Sequence, residues 1–141
     1  MSGRDETASA LPVARQLVAR ETGEAPSSES VAAGAARACE KLSRRLAPLV
    51  GDAGSHSLFA RSLTLARARF PWLEAVALTL PNASWTPLRV CFERQPVATA
   101  VEASVFLLAT FIGLLEKFIG PGLTARLLRE VWPDVQPVSP S

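Results

Sequence analysis

VATAVEASVFLLATFIGLLEKFI, residues 97–119, is the stretch on which the fold turns. Only Glu102, Glu116 and Lys117 carry charge in it, and from Ala103 to Leu115 nothing is more polar than Ser104 and Thr110. A helix that is apolar on every side must be enclosed by other elements or by lipid. The uncharged part rises about 20 Å as a helix, whereas a bilayer core needs about 30 Å. The segment therefore reads as the central helix of a soluble bundle, with a membrane span ranked below it.

Breaks bracket this element. Gln95-Pro96 precedes it and Gly120-Pro121-Gly122 follows it. Beyond the second break, Leu123 to Trp132 is amphipathic, with Leu123, Leu127, Leu128 and Val131 expected inward and Arg126, Arg129 and Glu130 outward. Before the first, Thr86-Pro87 opens a short helix running to about Arg94, because a hydroxyl cap followed by proline is a helix start. Residues 72–80 fit helix or strand alike, since a short apolar run does not separate the two.

Two further helices lie upstream. Val31, Ala35, Ala38, Leu42, Leu46 and Leu49 recur at helical spacing behind Ser30, the expected N-cap. Pro48 and Gly51 end that helix. A second begins near Asp52 or Ser55, carries Phe59, Leu63, Ala66 and Phe70 on one face, and stops at Pro71. Arg61, Arg67 and Arg69 should point largely to water. The expectation is an all-α fold: a compact bundle of four to six helices around residues 97–119, occupying residues 30–133 as one domain. Residues 1–29 read as a mobile tail with a short helix possible from Leu11 to Glu21, and residues 134–141 as a loose tail.

Composition bounds the function. The chain has 141 residues, 48% of them hydrophobic and 20% charged, which is enough apolar material for one core. The net charge of +2 is far from the concentrated positive charge of nucleic-acid binders. The two cysteines, Cys39 and Cys91, form no CxxC and read as small buried residues. The N-terminus is acidic where a secretory leader is basic, so the expected location is cytoplasmic.

No reactive constellation stands out. His56 is the only histidine and sits between two serines in the expected first turn of a helix. It has no metal-ligand or nucleophile motif around it. Glu102, which precedes the apolar run, is the one candidate for a perturbed carboxylate, because buried carboxylates are costly unless paired. No cofactor or metal is called for. Trp72, Trp85 and Trp132 lie at element ends, where aromatic residues either anchor partners or plug a bundle. Arg37, Lys41, Arg44 and Arg61 supply a basic face.

The stretch from Leu58 to Leu63 running on to Phe70-Pro71-Trp72, and that from Phe118 through Leu128 to Trp132-Pro133, resemble segments of small helical proteins of unknown function in GC-rich bacteria. The resemblance implies a helical, cytoplasmic, bacterial protein and no activity. The resulting expectation is a non-enzymatic module that binds or regulates another protein, with Trp72, Trp85, Trp132, Arg37, Lys41, Arg44 and Arg61 as candidate contacts. Membrane association by insertion of the 97–132 hairpin ranks second. Weak nucleic-acid binding through the Arg-rich helices ranks third. The sequence leaves self-association open.

Overall fold

A computed structural model of the chain describes residues 3–23, 25–76 and 85–133. Among the described residues there are five α-helices and no strand. They are α1 (Gly3–Thr22), α2 (Ser28–Arg69), α3 (Thr86–Glu93), α4 (Val97–Ile119) and α5 (Pro121–Val131), with a 3-10 turn at Pro71–Ala75. The all-α bundle read from the sequence is the fold.

Helix α4 is its axis. Ala103, Leu107, Leu108, Phe111, Ile112 and Leu115 are buried, so the helix has core on most of its circumference. α1 and α2 pack along it and α5 folds back against it. It is long and apolar enough to cross a membrane, but 61% of its most apolar window is buried inside the bundle. The protein itself supplies the enclosure that an all-apolar helix requires.

Helix α2 is a hairpin rather than a rod. Gly51 has φ +83°, a conformation that side chains with a Cβ rarely adopt, and the helical geometry breaks there. Ser55 Oγ donates to Ser43 O at 3.4 Å. Across an unbroken helix these two residues would lie about 18 Å apart, so the chain must reverse between them. The break expected from Pro48 and Gly51 is therefore present, with limbs 28–50 and 52–69 on either side.

The first limb starts beside α4, because Ser28 Oγ donates to Gln95 O at 2.6 Å. At its far end Arg45 meets Glu130 of α5 at 3.5 Å. Limb 28–50 and α4 thus run side by side, and the reversals at Gly51 and Gly120 fall at the same end of the bundle. The second limb returns along α4: Phe59 stacks edge-on against Phe111 and Phe70 against Phe106.

The structure corrects the sequence reading at several points. Residues 3–22 are not a tail: they form α1, with Ala10, Val13, Ala14, Leu17 and Val18 buried. Helix α2 is capped by Ser27, in a reciprocal capping box with Ser30, one turn before the expected cap. Arg67 turns inward and donates to Val76 O at 2.8 Å, tying α2 to the 3-10 turn. Leu49 and Leu123, expected in apolar stripes, are 51% and 39% exposed. Of the ambiguous run 72–80, the first part is 3-10 turn, while residues 77–80 and the expected C-terminal tail at 134–141 lie outside the described residues.

Leu17 distinguishes a packed α1 from a loose one. It is completely buried. Leu17→Ala should cost about 2–5 kcal/mol of unfolding free energy in urea titration. A change under about 0.5 kcal/mol, as for a surface site, would show that α1 is not part of the core.

Candidate partner-binding surface

Of the candidate residues, Arg37, Lys41 and Trp132 come together, and the group that gathers them is Glu21, which the sequence reading passed over. The Glu21 side chain is only 6% exposed. Arg37 Nε reaches its Oε1 at 3.0 Å, and Lys41 Nζ reaches Oε2 at 2.5 Å. Trp132 Nε1 donates to Oε2 at 2.7 Å. The Arg37 guanidinium also donates to the Glu21 carbonyl at 2.6 Å, and Lys41 sits 5.9 Å from the centre of the Trp132 ring.

Geometry makes this cluster the junction of three helices. Glu21 ends α1, Arg37 and Lys41 lie one turn apart on α2, and Trp132 caps α5. Gly34 lets α1 approach so closely: a Cβ there would fall 3.1 Å from the Glu21 carbonyl carbon and 3.2 Å from its oxygen. Burial acts to raise the Glu21 pKa. The hydrogen bonds from Lys41, Trp132 and Arg37, with the charge of Lys41, outweigh it and hold the group below the ordinary carboxylate value.

Glu102 is not a buried carboxylate. Its side chain is 61% exposed and meets Arg69 at 3.4 Å. Proximity to the apolar run misled, because Glu102 lies on the exposed side of the first turns of α4. Arg44 pairs with Glu40 at 3.0 Å, four residues away. Arg61 is exposed and forms no ion pair among the described residues. The basic face therefore divides into a structural pair, a helix-surface pair and a solvated side chain.

Trp72 and Trp85 are half-buried and face aromatic partners. Trp72 stacks edge-on with Phe92 at 5.2 Å and with Phe70 at 6.0 Å. Trp85 does so with Phe59 at 4.6 Å. Edge-to-face pairs of this kind contribute about 0.5–1.5 kcal/mol each beyond burial. All three tryptophans thus plug the bundle. Trp85 also lines a surface cleft, of about 470 Å³, with Ala33, Ala36, Arg37, Glu40, Thr86 and Arg89. Two alanines on successive turns of α2 leave the gap, Trp85 forms one wall, and Arg37 and Arg89 stand at its edges.

Among the described residues no three His, Cys, Asp or Glu side chains form a group able to hold a metal ion. Burial pushes the Cys39 thiol far above its ordinary pKa. It raises that of Cys91 as well, against the charge of Arg94. Neither sulfur is an activated nucleophile, because reactivity belongs to the thiolate. Compared with protein-family models, with curated proteins and with solved structures, the chain matches none.

The Glu21 cluster has a definite pH signature. Its native pKa is lowered, so its contribution to stability is present above the unfolded carboxylate value of about 4.3 and lost as the pH falls through the native value. Glu21→Gln should destabilise the protein at pH 7 by about 1–2 kcal/mol, because charge-assisted hydrogen bonds to the buried carboxylate are lost while Arg37 and Lys41, 49% and 44% exposed, regain water. The gap between variant and wild type should narrow below about pH 4, measured by denaturant titration across pH. A gap that is constant with pH would contradict the ion-pair account.

Proposed function

We propose that the protein is a non-enzymatic helical module that binds another protein through the cleft beside Trp85. The observation that carries this reading is the cleft itself. A gap opened by Ala33 and Ala36 lies against an indole wall, with the guanidinium groups of Arg37 and Arg89 at its edges. Small side chains beside an aromatic wall admit an apolar side chain of a partner. The flanking guanidinium groups offer donors to its backbone or carboxylates. Arg37 is already fixed by Glu21, and Arg89 meets Glu93 at 3.1 Å, so these edges are set before a partner arrives.

The surface charge supports a protein partner over nucleic acid. Arg37, Lys41, Arg44, Arg45, Arg69, Arg89 and Arg126 each meet a carboxylate within 4 Å. Paired in this way, they make a weak phosphate-binding surface.

Ala36→Arg tests the reading. Ala36 is half-buried at the floor of the cleft, so an arginine there fills the gap while its head reaches solvent. Affinity capture from the native cells at moderate salt, followed by mass spectrometry, should recover a protein with the wild-type chain and lose it with Ala36→Arg. Arg61→Ala, on a solvated face, should retain it. Recovery of the same proteins by wild type and Ala36→Arg, or of none by either, would overturn the cleft as the docking site.

A further inference from the structure

Leu65, Val90 and Val97 are partly exposed at separate places, whereas the most exposed apolar side chains, Phe118 and Leu49, lie with Leu123 at the end of the bundle where the two reversals meet. Phe118 is 63% exposed, Leu49 51% and Leu123 39%. They flank the two reversals that fall together, Gly51 and Gly120-Pro121-Gly122. A Cβ added at Gly51, Gly120 or Gly122 would meet no atom within 4 Å, so these turns stand clear of the body. Earlier in α4, Phe111, Ile112 and Leu115 are buried and Phe106 and Leu114 are half-buried.

The exposed charges around this end are predominantly positive. Arg45, Lys117, Arg126 and Arg129 stand against Asp52 and Glu130. Glu130 is shared between Arg45 at 3.5 Å and Arg126 at 3.8 Å. Glu116, in the last turn of α4, is half-buried.

We propose that this end is a membrane-docking tip. Phe118, Leu49 and Leu123 enter the interface of an anionic bilayer, and Arg129 and Lys117 face the headgroup phosphates. Apolar side chains among cations are the composition of interfacial segments that bind acidic lipid. The shape selects lipid over protein. Protruding turns with open space around them offer no groove, and a protein partner needs a matched patch of about 800 Å². A fluid bilayer closes around a projecting phenyl ring. The Gly51 reversal of α2, the last turn of α4 and the exposed side of α5 take part. The rest of α4 stays in the core, in contrast to insertion of the whole 97–132 hairpin.

Flotation of the full chain on vesicles tests this. At low salt the protein should float with phosphatidylcholine vesicles rich in phosphatidylglycerol, and much less with phosphatidylcholine alone. The double change Phe118→Ser with Leu123→Ser should lower partitioning roughly tenfold or more, since each removes an apolar side chain from the interface. Arg129→Glu should weaken binding to the anionic vesicles only. These side chains are exposed, so circular dichroism and thermal midpoint should be those of wild type. Ala36→Arg should float like wild type, which separates the tip from the cleft. Failure of the wild-type chain to float, or undiminished flotation of the double variant, would overturn the proposal. So would a wild-type self-association that the double variant loses while neither protein floats: that end would then be a contact between copies.

Discussion

The structure depends on one buried carboxylate. Glu21 sits where α1, α2 and α5 meet, nearly out of water, and accepts from Arg37, Lys41 and Trp132 at once. A carboxylate placed there without partners would be expelled or protonated, and the helices could not close on each other. With its partners it locks the last turn of α1 to the middle of α2. Through Trp132 it also locks the end of α5, 111 residues away in sequence. Three of the helices that wrap the all-apolar α4 are thereby joined at one charged junction, while hydrophobic packing carries most of the contact below it. A buried ion cluster adds less net stability than its contacts imply, because desolvation offsets much of the attraction. Gly34 opposite it leaves room for the α1 backbone at Glu21 to come this close.

This arrangement shows which parts of the fold were legible in the sequence. Helix α4 was legible because its signal is local: thirteen residues without charge admit few environments. The α2 reversal was legible because Pro48 and Gly51 are breakers wherever they occur. Helix α1 was not. Its inward face is Ala10, Val13, Ala14, Leu17 and Val18, a stripe with one large side chain, and it includes Pro12. Such a segment gains its helix from tertiary contact rather than from propensity.

The candidate site was legible in part for the same reason. Arg37, Lys41 and Trp132 drew notice as cations and an aromatic at an element end, but their purpose rests on Glu21, and no spacing rule joins residues 21 and 132. Glu102 drew notice by standing next to the apolar run, yet one turn of helix carries a side chain from core to solvent. Position along the chain reports the neighbourhood of a residue on a helix and not the face it occupies. The exposure of Phe118 escaped for the converse reason. At the end of a buried helix the core stops before the hydrophobic sequence does.

Two surfaces remain after the core is accounted for, and they differ in kind. The Trp85 cleft is concave, small-residue-lined and edged by pre-set arginines. The end carrying Phe118 is protruding and apolar. Both are built on α2, whose first limb contributes the cleft floor and whose Gly51 turn contributes to the tip. That limb is held in place by Glu21. The most direct test of the central role given to this residue is native-state hydrogen exchange of the amides of residues 13–22. Protection close to that of the α4 amides around Leu108 is the predicted result, since both would open only when the bundle unfolds. Rapid exchange of residues 13–22 beside a protected α4 would contradict it, showing that α1 detaches and that the Glu21 junction does not hold the fold together.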